Sequence, residues 1–103
     1  MIVRSWSARI DASNMAKYLA HLDRSVKPAL AALDGFVDAM VLERSVEGAV
    51  ATAREVVVQT RWRSLDAVRA FAGADISVAV VEPAAAALFT DYDRHVLHYD
   101  VVG

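Results

Sequence analysis

Few side chains in this sequence can move protons or hold a ligand, and their spacing keeps them apart. The three histidines are His21, His95 and His98. His95 and His98 stand three apart in a β-prone run, and such residues point to opposite faces of a strand. They share a metal only if the strand bulges between them, so no metal or other cofactor is expected. His98 is the candidate acid–base group, because an imidazole titrates near the pH where general catalysis works best. The alternative for it is a hydrogen-bonded histidine inside an interface. Tyr99 points the other way. It is a candidate donor to an enolate or phenolate oxygen, or else it packs with its hydroxyl satisfied. Trp62 is either a flat wall for an aromatic ligand or core filler. His21 adjoins the apolar stripe of a helix and reads as a surface or boundary residue. Arg4 and Trp6 share one face of the first strand and Ser5 and Ser7 the other, so the two sets cannot both line one pocket. No phosphate-binding glycine loop, nucleophile elbow or dinucleotide fingerprint occurs.

The elements that must position these groups fit one domain over residues 1–103. A chain of 103 residues supports one domain and no more. With 56% hydrophobic residues it carries more apolar surface than a monomer this small readily buries. The net charge of −2 and the absence of a basic run argue against a nucleic-acid binder. There is no cysteine, which excludes disulfides and thiolate chemistry. No apolar run approaches the ~18 residues of a membrane span. The alternating N-terminus lacks the apolar core of a signal peptide. A soluble cytoplasmic protein with no membrane partner is expected.

Residues 2–9 alternate with period two, which predicts a strand. The cluster Asp11-Ala12-Ser13-Asn14 caps a helix whose stripe is Met15, Leu19, Leu22, Val26, Leu30 and Leu33. Pro28 lies inside that stripe, so a kink or break is expected near Val26 and Lys27. Residues 36–44 and 50–62 form a hairpin across a turn at Gly48. Ser64 caps a second helix over residues 65–72, and Gly73 stops it. Residues 74–88 are irregular, with Pro83 opening a short alanine helix. Residues 93–102 form the last strand. This β-α-β-β-α-β order is the ferredoxin-like α+β arrangement, an antiparallel sheet with both helices on one face. Val56, Val57 and Val58 place apolar groups on both faces of the third strand. A second copy of the chain is the economical cover for the other face, giving a homodimer.

The order of elements, together with Gly35-Phe36, the run from Gln59 through Trp62 to Leu65, Phe71-Ala72-Gly73, the segment from Ala79 to Pro83 and the terminal run from Val96 to Val101, resembles the antibiotic biosynthesis monooxygenase family of dimeric α+β barrels. The resemblance implies a homodimer with a pocket between sheet and helices in each subunit. Some members of that family oxidise aromatic polyketides with O₂ and neither metal nor flavin, and others degrade haem. By the resemblance Trp62 matches the pocket tryptophan. Val58 stands where anthrone-type oxygenases carry an asparagine, and Val68 where they carry a tyrosine. Ser7 takes the place of a first-strand pocket asparagine, and the second helix lacks the histidine of the haem-degrading members. With Ser7 toward the helices, Arg4 and Trp6 face the partner sheet, Arg4 within reach of Asp100 or Glu55.

Two functions follow as expectations. One is a cofactor-independent monooxygenase for a small aromatic or polyketide-like substrate, with His98 as base, Tyr99 or Ser7 as donor, and Trp62 and Val58 in the binding pocket. The other is a non-catalytic dimeric α+β barrel that binds a small apolar ligand or serves as an interaction module.

Overall fold

The computed structural model describes residues 1–103. The alternating N-terminal segment forms β1 (Ile2–Asp11), the strand around which the fold is built. The Asp11 carboxylate closes its end and starts the next element by accepting from the Ser13 N–H at 2.9 Å. That bond satisfies an otherwise unpartnered first-turn donor of α1 (Ala12–His21). Hydrogen bonds from Ser13 and Thr52 hold the Asp11 carboxyl down to about 2.

The irregularity expected near Val26 and Lys27 is a widened turn, with a short second helix after it. The chain widens into one π turn (Leu22–Val26) and resumes as α2 (Lys27–Ala31). The Lys27 N–H reaches back five residues to the Leu22 carbonyl. The extra residue in the turn accommodates the proline ring and its missing N–H without ending the helix. After α2 the chain reverses through Gly35 at φ +86°. Only glycine serves here, because a Cβ at this point would also sit 2.5 Å from the Ala67 Cβ.

The hairpin β2 (Phe36–Ser45) and β3 (Ala53–Trp62) follows, paired antiparallel from Phe36 opposite Trp62 to Ser45 opposite Arg54. Ser64 caps α3 (Leu65–Ala72) by accepting from the Ala67 N–H. Pro83 opens the short α4 (Pro83–Ala86). The expected last strand over residues 93–102 is two strands, β4 (Phe89–Tyr92) and β5 (Leu97–Asp100). Between them the chain leaves the sheet edge. The Arg94 carbonyl accepts from the Ala79 N–H and the Val96 N–H donates to the Ser77 carbonyl, so residues 77–79 take these groups from β1.

The sheet order is β2-β3-β1-β4, with β5 continuing the outer edge of β1. This is the α+β ferredoxin-like order, and all pairings are antiparallel. On the helix side, opposed residues of β1 and β3 form four rows: Ile2 and Trp62, Arg4 and Thr60, Trp6 and Val58, Ala8 and Val56. The first row belongs to a buried cluster with Leu30 and Val68. The last belongs to a second cluster with Ile10, Met15, Tyr18, Leu22 and Ala85. The two middle rows lie between these packed ends. The opposite face of the sheet has no covering element and exposes Met40, Leu42, Leu97 and Tyr99. No helix is long and apolar enough to cross a membrane.

Candidate functional site

Over the two middle rows the helices stand off the sheet and leave a cavity of ≈ 130 Å³. Trp6, Val58 and Thr60 form its floor, the π turn supplies Leu22 and Val26, and Val80 and Val81 cross its side. A widened turn displaces side chains from the regular helical rows, and such turns recur beside functional sites. The sequence contains the signal for this one, Pro28 inside an apolar stripe, which reads there as a kink or break and not specifically as a π turn.

Besides Thr60 in the floor and Glu82 at the rim, three polar groups interrupt the apolar wall. The first is Arg4, 5% exposed and the only charged side chain buried in the fold. Its guanidinium donates to the carbonyls of Ile76 and Val78 and to His98 Nε2 at 3.0 Å, and it lies 5.8 Å from the Phe71 ring centre. The expected pairing of Arg4 with Asp100 or Glu55 is not formed. Arg4 faces the helices, and burial pushes its pKa down. The second is His21, whose Nε2 is buried with no hydrogen-bond partner and lies 3.7 Å from a Glu82 carboxylate oxygen. The third is Tyr18. Burial raises its hydroxyl to about 12, so it remains a proton donor at neutral pH.

Of the sequence-derived pocket candidates, Val58 is where expected, while Trp62 and Ser7 are not. Trp62 is fully buried and absent from the cavity wall. Its ring stacks on Phe71 at 5.7 Å, meets Phe36 edge-on at 5.3 Å, and donates its indole N–H to Thr60 Oγ1 at 2.8 Å. The tryptophan on the cavity is Trp6, fixed by its indole N–H on the Asp93 carbonyl and by an edge-on contact with Phe89. Ser7 is opposite Val57 and points to the uncovered face, so it does not line the cavity. This reverses the assignment of the two faces of β1: Arg4 and Trp6 look toward the helices. Val58 is in the cavity floor. Tyr99 is 53% exposed on the uncovered face.

His98 is opposite Arg4 on β1 and points to the helix side. A guanidinium has no acceptor, so Arg4 donates and His98 Nε2 accepts, which places the ring proton on Nδ1. Burial and the Arg4 charge both push this imidazole below the usual histidine range. With its lone pair occupied, His98 orients Arg4 and has no free site to receive a proton. From sequence His21 reads as a surface or boundary residue, because its helix position adjoins the stripe. Only the tertiary approach of Glu82 makes its environment visible. No group of three or more potential metal ligands converges anywhere in the fold.

Comparison with known structures finds this fold over nearly the whole chain. A Bacillus cereus protein assigned to the antibiotic biosynthesis monooxygenases superposes with a TM-score of 0.62 at 18% identity, covering 99% of this chain and 91% of that one. A mutant of MhuD with two manganese protoporphyrin IX bound per active site gives 0.66 at 21% identity, with 99% and 95% covered. The monooxygenase ActVA-Orf6 of Streptomyces coelicolor, in complex with nanaomycin D, gives 0.61 at 18% identity, with 99% and 88% covered. The chain therefore has the α+β ferredoxin-like fold of antibiotic biosynthesis monooxygenase structures. No family model matches it, and no curated protein matches its sequence.

Proposed function

We propose that the chain is a cofactor-independent monooxygenase acting on a small aromatic substrate in the cavity between sheet and helices. The carrying observation is the pairing of an apolar, aromatic-floored cavity with an unpartnered imidazole nitrogen at its wall. The substrate needs an acidic CH₂ group conjugated to an oxygen. His21 Nε2 takes that proton, and the resulting imidazolium faces the Glu82 carboxylate. The electron pair delocalises onto the substrate oxygen. The carbanion carbon then bonds to O₂, which is the oxidant. The peroxide takes the proton back from His21, and loss of water from the resulting hydroperoxide, using the carbon's second hydrogen, leaves a carbonyl, with one oxygen atom in the product and the other in water. The residues supply orientation, proton transfer and a dry site. The fold shared with ActVA-Orf6, solved with nanaomycin D, supports the reading.

The test is oxygen uptake by purified protein with a panel of enolisable and hydroxylated aromatics, without added flavin or metal. Protein-dependent uptake that falls on the order of 100-fold or more in His21→Asn is expected from loss of a general base. Ligands that bind without consuming oxygen would replace this reading with the non-catalytic binding barrel. We further propose a homodimer through the uncovered face, supported by the exposed Met40, Leu42, Leu97 and Tyr99 there. Ultracentrifugation should show a dimer at micromolar concentration, and a monomer contradicts it.

A further inference from the structure

The charge of Arg4 is unbalanced where balance matters most. Five exposed or half-exposed arginines pair with carboxylates: Arg9 with Asp91 and Asp93, Arg44 with Glu55, Arg54 with Glu43, Arg61 with Asp38, and Arg69 with Asp66. The one buried arginine has only two carbonyls and a neutral imidazole. A guanidinium does not lose its proton in a protein, so burial leaves a fixed cation in a medium that screens it poorly. Three of its five N–H groups have protein acceptors, which leaves two free. Arg4 lines the cavity itself. The only carboxylate at the wall, Glu82, is half in solvent and turned toward His21.

We propose that Arg4 is the anion-binding group of the cavity and that the ligand is a single-ring aromatic carrying an ionised oxygen group, a carboxylate or a phenolate. This rests on the reading of the cavity as a small-aromatic site. An anion there supplies the missing counter-charge and takes the two free N–H groups, in the planar fork geometry that guanidinium offers to carboxylates. The cavity size sets the ring count. A void of ≈ 130 Å³ is close to the ~150 Å³ apolar cavity known to take benzene, and well below the ~300 Å³ at which drug-sized pockets begin. His98 acts as the positioning residue. Its acceptor nitrogen, with the carbonyls of Ile76 and Val78, fixes the guanidinium plane toward the void.

Benzoate and its neutral isostere benzamide provide the probes, with binding measured by calorimetry on the wild-type chain, Arg4→Met and Arg4→Lys. Wild type should bind benzoate at least tenfold more tightly than benzamide. Arg4→Met should bind both about equally, and Arg4→Lys should retain part of the preference. Equal binding of the two probes by wild type, binding of neither, or an undiminished preference in Arg4→Met each overturns the proposal. Oxygen uptake separates it from the function above. Uptake with no anion preference refutes only the role of Arg4, whereas a clear preference without uptake on any substrate refutes only the oxygenase.

Discussion

Trp6 and Trp62 project from the same face of the sheet into regions of different density. Trp62 lies in the end row, where α2 and α3 press Leu30 and Val68 against Ile2. Phe36 and Phe71 occupy its two sides, and Thr60 accepts its N–H. Trp6 lies one row beyond Arg4, under the π turn, where the helix layer lifts. Its N–H is satisfied on the Asp93 carbonyl, but part of its ring borders a void. Close packing fixes the first region as a structural anchor. Incomplete packing leaves the second able to receive a ligand. The β1–β3 rows beneath are regular in both, and the helix layer above differs.

Replacing the anchor should have the largest effect. Trp62→Ala should cost about 3–5 kcal/mol in urea unfolding, the range for deleting a packed aromatic. Gly35→Ala attacks the same region through the backbone, because its Cβ meets Ala67 at 2.5 Å and its φ is +86°. A loss of about 1–3 kcal/mol is expected, as for overpacking. Trp6→Ala should lose less stability than Trp62→Ala, since its ring already borders empty space, while weakening aromatic binding by about 1–2 kcal/mol. Equal stability losses for the two tryptophans would erase the contrast between the regions.

The smallest effect is expected at His98. Its pKa is lowered in the folded chain by burial and by Arg4. The unfolded chain then takes up a proton that the folded chain refuses, once the pH drops below the ordinary value near ~6.5. Stability contributed by the neutral imidazole is present above that value and is lost as pH falls toward the folded pKa. Unfolding midpoints measured from pH 7.5 downward should show this decline, and His98→Gln should flatten it. A wild-type profile no steeper than that of His98→Gln would disconnect His98 from Arg4.

Sequence reading captures what local chemistry controls. Alternation places β1, Asp11 and Ser64 place the helix starts, and the Gly48 turn places the hairpin, because each depends on neighbours in the chain. Which face of β1 meets the helices does not. Ser7 takes the place of a pocket residue in the family resemblance, and small serines leave room for a ligand, so the sequence points the serine face toward the helices. The fold buries Arg4 instead, and it can do so because carbonyls from residues 76 and 78, remote in sequence, accept its hydrogen bonds. The same kind of remote contact, Glu82 beside His21, gives the candidate base its setting. The break between β4 and β5 is likewise decided by residues 77–79.

The chain contains two tryptophans, which allows a direct test of the central claim that ligands enter the void beside Trp6. Protein labelled with 5-fluorotryptophan gives two fluorine resonances, assigned with Trp6→Phe. Titration with benzoate should move the Trp6 resonance to saturation and leave that of Trp62 nearly still. Saturable movement of Trp62 with Trp6 unchanged would put the ligand in the packed end of the sheet and contradict the account.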